Sequence, residues 1–217
     1  LIQNAAIFDI TQKDITFTEE GIERVWATNH IGPVLLTDLL LERLKQSAQG
    51  RVMTIASKGL LAKPFLKVDL KDPEFRDGKF SVEKAYYQSK IAQLMYTYWL
   101  AEKLKETRGT ANCIRVPSVR VDISKYSNVS RVLRFLYALK MKTALSPEEM
   151  GKTYTYLATS DEVSSLTGKY FDEKNRVVTS SKYSADPENI AQVMKRTMDF
   201  VCHCVKRTKN IGGIKRR

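Results

Sequence analysis

Short apolar runs alternate along the chain with longer segments in which apolar residues recur every three or four positions, and this alternation predicts strands interleaved with helices. Leu1-Ile2-Gln3-Asn4-Ala5-Ala6-Ile7 reads as a buried parallel strand ending in a site loop. Residues 16–20 have the features of a helix start, with Thr18 as cap and Glu19 and Glu20 in the first turn, where the helix dipole favours acid. That helix carries Ile22, Val25, Trp26 and Asn29 along one side. A kink or a tight local restart is predicted at Gly32-Pro33, after which the pattern resumes through Leu35, Leu36, Leu39, Leu40 and Leu44. Gly50 ends it, and residues 51–56 form the next strand, which delivers Ser57 at its carboxyl end.

A loop rich in Lys, Pro and Asp spans residues 58–78 and is expected to cover part of the site. Helical periodicity returns over residues 81–108, with Tyr86, Lys90, Leu94, Thr97 and Ala101 along one side, and Gly109 stops it. Residues 111–116 read as a third strand, broken by Pro117-Ser118. The amphipathic stretch 128–142 suits a substrate lid better than a membrane-surface helix. Ser146-Pro147-Glu148-Glu149 opens a further helix with cap, proline and acids in order. Residues 168–172 read as a last short strand, and Pro187 starts a final helix reaching about Val201. Strands alternating with helices of this length imply an α/β fold, a Rossmann-like doubly wound parallel sheet with helices on both faces. Ligands of such sheets lie outside the carboxyl ends of the strands, where Asn4, Ser57 and Pro117 fall.

At 217 residues and 43% apolar composition the chain suits one domain, over residues 1–201, followed by a basic tail over residues 202–217 that is expected to be disordered. The leucine-rich run before Leu41 is interrupted by Asp38, so it reads as a buried helix and not as a transmembrane span. Three cysteines without a disulfide framework point to a reducing, cytoplasmic setting. Cys202-His203-Cys204 lacks the separated ligand pairs of a zinc site, and no metal is expected. The net charge of +12 suits an anionic partner such as a dinucleotide phosphate. Much of it is concentrated in Lys206, Arg207, Lys209, Lys215, Arg216 and Arg217, which read as a solvated tail, so no nucleic-acid partner is expected.

The chemistry is concentrated in Ala85-Tyr86-Tyr87-Gln88-Ser89-Lys90, which sets a phenol and an ammonium four residues apart on one helix face. A free tyrosine holds its proton up to a pKa of about 10, and a cation within roughly 4–6 Å favours the phenolate, so Lys90 is expected to lower Tyr86 toward neutrality. Ser57 adds a hydroxyl that suits binding of a carbonyl oxygen. Tyr87 is a competing phenol about 100° around the helix with no lysine four residues on.

These residues resemble the short-chain dehydrogenase/reductase family, most closely its retinol-dehydrogenase-like branch, from Leu1 to about Val201. Gln3-Asn4-Ala5-Ala6 matches the family's strand-end motif, Thr28-Asn29-His30-Ile31-Gly32 its helix motif, Ile55-Ala56-Ser57 its serine segment, and Val116-Pro117-Ser118-Val119 the segment beside the nicotinamide. The resemblance implies an oxidoreductase that interconverts an alcohol and a carbonyl with NAD or NADP. Its catalytic residues would be Asn29, Ser57, Tyr86 and Lys90, and Asn4, Ala5, Tyr86, Lys90, Pro117 and Val119 would bind the cofactor. It also implies a homodimer or homotetramer using the helix at 81–108. Phe65, Leu66, Phe135, Leu136, Tyr137 and Met141 are candidates for the pocket or lid. Ala6 and Ser118 stand where the family has glycines, and no glycine-rich phosphate loop occurs in the chain. The fold is therefore expected to be N-terminally incomplete and this chain alone to bind dinucleotide poorly; a non-catalytic scaffold of the same fold is the rival reading.

Overall fold

Period-two alternation in the longest strands decides which side chains face which layer of helices. The computed structural model describes residues 1–120, 141 and 144–211. Its strands are β1 (Ile2–Gln3), β2 (Arg51–Ser57), β3 (Thr110–Val116) and β4 (Lys169–Phe171), all parallel and in the order β1-β2-β3-β4. Its helices are α1 (Arg24–Trp26), α2 (Gly32–Gln46), α3 (Val82–Lys103), α4 (Pro147–Thr159), α5 (Lys182–Ala185) and α6 (Pro187–Ile211).

Along β2, Val52, Thr54 and Ala56 point to one face and Met53 and Ile55 to the other. Val52 joins the large core built with Trp26, Ile31, Val34, Met95, Leu100 and Met194, and Thr54 Oγ1 lies 2.5 Å from Thr97 Oγ1 of α3. Met53 and Ile55 pack with Ile114 and Phe171 against Met150 and Leu157 of α4. Helices thus cover both faces, as a sheet with strands buried on each side requires. The α/β class and the Rossmann-like parallel sheet were legible in the alternation of elements.

Several boundaries differ from the sequence reading. The first strand is only Ile2–Gln3, and residues 4–7 already belong to the loop. The first helix starts later than Thr18, because Glu23 is its cap and accepts from Val25 N at 2.8 Å and Trp26 N at 2.7 Å. Pro33 leads to no break. The chain runs from α1 through a π-helical turn, Ala27–Ile31, directly into α2, and the Gly32 amide reaches back five residues to the Ala27 carbonyl. A π-turn is a common way to absorb the missing amide and the ring of a proline. α4 has the expected capping box, Ser146 N to Glu149 Oε2 at 2.7 Å and Glu149 N to Ser146 Oγ at 3.1 Å.

The final helix passes Val201 and continues to Ile211, so residues 202–211 are helical where the sequence reading expects a disordered tail. Val193, Met194, Val201 and Cys204 of this helix are buried in the main core, which is why it does not end at Val201. Cys202 is exposed and Cys204 buried, on different sides of α6. Most of α3 is enclosed by its own chain, and exposed leucines lie on α2, at Leu36, Leu39 and Leu40. Among the described residues no helix is long and apolar enough to cross a membrane.

His30 of the π-turn is fully buried, against Trp26 at 4.6 Å between ring centroids and with Nε2 2.8 Å from Thr197 Oγ1 of α6. Burial pushes its pKa down to about 3, partly offset by the neighbouring Gln93 side chain. The unfolded chain binds a proton at His30 below pH 6.5 that the folded chain refuses until about pH 3, so stability falls as pH is lowered through that window. The loss attributable to this residue is about 3 kcal/mol by pH 4. Urea unfolding of the wild type from pH 7.5 to 4 should show this decline, and His30→Gln should be less stable at pH 7.5 but lose less on acidification; equal slopes would contradict the assignment.

Candidate active site

Parallel register brings the carboxyl ends of the strands together. Gln3 is level with Thr54 and Ser57 with Val116, so Asn4 and Ala5 leave β1 beside the last residues of β2, and Pro117 leaves β3 beside Ser57. Asn4 and Ala5 are exposed, whereas Ser57, Pro117 and Val119 are half-buried. Val119 pairs in a parallel bridge with Leu145, which fixes the segment after β3 just before α4.

α3 begins under this edge. Ser81 caps it by accepting from Lys84 N at 3.4 Å, and its first turns carry Tyr86 and Lys90 toward the end of β2. The Ser57 side chain lies close enough to the Tyr86 phenol to counter part of its pKa rise, so the two hydroxyls singled out from the sequence are brought to one place. Ser57 Oγ also accepts from Gly59 N at 3.2 Å at the start of a 3-10 turn, Lys58–Ala62. Lys90 is 3% exposed; its Nζ donates to the Ile55 carbonyl at 2.9 Å and lies 5.7 Å from the centre of the Tyr86 ring.

The electrostatics run against the expectation. Burial pushes the Tyr86 phenol up, and the nearby Ser57 side chain only partly offsets it. Burial likewise pushes Lys90 down to about 8. Desolvation disfavours the charged form of each, and Lys90 is turned to a backbone carbonyl and not to the phenol oxygen. The predicted depression of Tyr86 by Lys90 is thus reversed here.

Asn29 is 1% exposed, and its side chain hydrogen-bonds Ile7 and Ser89 and neither Tyr86 nor Lys90. Its Oδ1 accepts from Ile7 N at 2.8 Å, and its Nδ2 donates to Ile7 O at 3.0 Å and to Ser89 Oγ at 3.1 Å. Ser89 Oγ in turn donates to the Tyr86 carbonyl at 2.7 Å. Asn29 therefore fastens the loop after β1 to the turn of α3 that carries Tyr86. The next loop residue, Phe8, stacks on Tyr86, with ring centroids 4.3 Å apart and planes 23° from parallel.

Sequence reasoning missed Phe8, Ser89 and Gly59. Ser89 was visible inside the Tyr86 motif, but Phe8 sits in a stretch with no periodicity. Tyr87, the competing phenol, packs on Gly59, where a Cβ would collide with its ring, and Lys63 lies 4.9 Å over that ring. Tyr154 of α4 stands on another side of the site; burial pushes it up to about 12, and the Tyr86 phenol adds to the effect. At the far rim Lys58 pairs with Glu173 at 2.5 Å, tying the exit of β2 to that of β4. Of the pocket or lid candidates, Phe65 is 91% exposed and Leu66 packs against the main core. Met141 is half-buried, and Phe135, Leu136 and Tyr137 lie outside the described residues, as does the rest of 128–142 except Met141.

The chain is 33% identical over 161 residues to retinol dehydrogenase 13 of Homo sapiens, a match covering 71% of this chain and 47% of that protein. Among solved structures it resembles an uncharacterized protein from Mycobacterium Paratuberculosis, at 22% identity and a TM-score of 0.64 over 92% of this chain and 65% of the other. It also resembles 4-hydroxyisoleucine dehydrogenase complexed with NADH, at 20% identity and a TM-score of 0.54 over 79% of this chain and 65% of the other. The structural likenesses carry the fold. No family model matches the chain. The chain spans about half the length of the curated relatives it matches.

Lys90 bears a cost of its own at neutral pH. Its ammonium is protonated below about pH 8 when folded but below 10.5 when unfolded, so stability rises with pH between those values. Lys90→Met should raise stability at pH 7 by about 1–3 kcal/mol and flatten that rise. Thermal melts at pH 7 and 10 check both; a destabilised variant would show that the Ile55 hydrogen bond outweighs desolvation.

Proposed function

The chain belongs to the short-chain dehydrogenase/reductase family, and from that premise we propose that it forms the catalytic half of an NAD(P)-dependent oxidoreductase interconverting an alcohol and a carbonyl. The observation that carries the reading is the gathering of Ser57 and Tyr86 at the carboxyl end of β2, with the Lys90 ammonium 5.7 Å from the phenol ring.

The donor set fits the nicotinamide-ribose end of such a cofactor. Lys90 Nζ spends one N–H on the Ile55 carbonyl and has two more, which suits a ribose diol beside the Tyr86 hydroxyl. Asn4, Ala5, Pro117 and Val119 ring the same strand ends and would line the nicotinamide. The cofactor, when bound, supplies or takes the hydride. Choice between NAD and NADP is left open by these residues.

Tyr86 does the proton work. With its phenol pushed above the ordinary value it keeps its proton at neutral pH, so it is set to donate to a developing alkoxide as a carbonyl is reduced. Ser57 holds the same oxygen by a second hydrogen bond and orients it. In that step the phenol O–H breaks, the new alcohol O–H forms, and the phenolate left behind is stabilised by the Lys90 ammonium. Asn29 contributes through its backbone. Pro33, four residues on, has no amide to give the Asn29 carbonyl, which suits that carbonyl to hold a water in the return path of the proton. A small-molecule carbonyl or alcohol is the partner this chemistry needs.

In the full-length protein, Tyr86→Phe should lower kcat by about 10²–10⁴-fold while NADH or NADPH binding, read by fluorescence titration, changes little. Turnover at the original rate would remove Tyr86 from the role.

A further inference from the structure

Phe8 stands in a loop that has left the sheet, yet it is held in one place. The peptide of Ile7 is gripped on both sides by the Asn29 carboxamide, N–H at 2.8 Å and C=O at 3.0 Å, which fixes the backbone one residue before the ring. The ring lies in a notch between two tyrosines: stacked on Tyr86 at 4.3 Å and 23°, and tilted to Tyr87 at 6.5 Å and 55°. Tyr87 meets Tyr86 edge-on at 5.2 Å and 71°. One face of Tyr86 is thereby covered by Phe8 and another side by Tyr87, while its hydroxyl end is turned to Ser57. Phe8 itself remains 37% exposed, so the core does not demand a large apolar side chain there. An offset stack of this kind fixes the relative planes of two rings.

We propose that Phe8 is a positioning residue of this site: clamped through Ile7 by Asn29, its ring sets the plane of the Tyr86 phenol and keeps water from one face of it. The inference rests on the reading of Tyr86 as proton donor for its consequence in catalysis, but not for its geometry. A phenol free to swing by an ångström presents its O–H poorly to a substrate oxygen, and misplacement on that scale costs on the order of 10²-fold in rate. It also becomes better hydrated, which favours its ionised form.

The test labels tyrosine with ¹³C at Cζ, assigns Tyr86 by its loss in Tyr86→Phe, and follows its titration by NMR in the wild type, Phe8→Ala, Phe8→Leu and Phe8→Trp. The Tyr86 midpoint is expected to fall toward about 10 in Phe8→Ala, to fall less in Phe8→Leu, and to return in Phe8→Trp. Asn29→Ala, which releases Ile7, should move the same signal in the same direction. In turnover, Phe8→Ala should reduce kcat about 10-fold or more with a displaced alkaline limb of the pH profile, and Phe8→Trp should restore both. An unchanged Tyr86 midpoint in both Phe8→Ala and Phe8→Leu overturns the proposal. Should Tyr86→Phe prove fully active, the proton-donor reading fails, but the titration still decides whether Phe8 positions the ring.

Discussion

A single buried carboxamide holds together the three pieces from which the site is made. Asn29 sits in the π-turn between α1 and α2, with its oxygen and nitrogen shared between the Ile7 peptide and the Ser89 hydroxyl. A buried amide left with an unpaired donor or acceptor costs about 1–3 kcal/mol, so the three partners are held as a set. The π-turn matters to this. It carries the chain through Pro33 into α2 without a break, with Asn29 buried in the turn. From this one residue the loop after β1, the first long helix and the start of α3 take their mutual positions.

The environment so built is dry, and dryness governs its acid–base character. Tyr86 is pushed up and Lys90 down to about 8, so the lysine gives up its proton before the tyrosine does. A phenolate beside an ammonium is therefore not the resting state. In the proposed reaction the neutral phenol would lose its proton only as charge develops on a neighbouring oxygen, and a buried cation is then worth more than it would be in water. Desolvation that costs stability at rest is the same feature that strengthens the charge interactions when the reaction demands them. The Lys58–Glu173 pair and Arg176 on buried Asp172 tie the exits of β2 and β4 at the rim of the strand ends.

The fold was legible because parallel α/β architecture writes itself in alternation. Apolar strand runs, the capping box at Ser146 and the helix-length periods around Trp26 and Leu94 all report local physics. Asn29, Ser57, Tyr86 and Lys90 could be singled out as candidates because each lies in a short run of characteristic residue types. The rest depended on contacts between distant segments. Nothing local says that Glu23 and not Thr18 caps the first helix, since Glu23 is fixed there by burial and by Glu74, whose carboxylate accepts the Glu23 amide at 2.8 Å. Nor does spacing reveal that Lys90 turns to the Ile55 carbonyl, which is why the direction of the Tyr86 shift was misjudged. The long final helix was missed because its polar and basic residues hide a stripe, Val193, Met194, Val201 and Cys204, that only tertiary packing explains.

The central claim is that these strand ends hold a nicotinamide and a carbonyl together so that hydride passes between them. The direct measurement is transfer of deuterium from NADH or NADPH deuterated at the nicotinamide C4, incubated with the full-length protein and a panel of apolar aldehydes and ketones. The account predicts deuterium on the former carbonyl carbon of at least one product, with label arriving from only one face of the nicotinamide. Tight binding of the cofactor with no label in any product across the panel would contradict it and would favour a protein that keeps the fold and has given up the reaction.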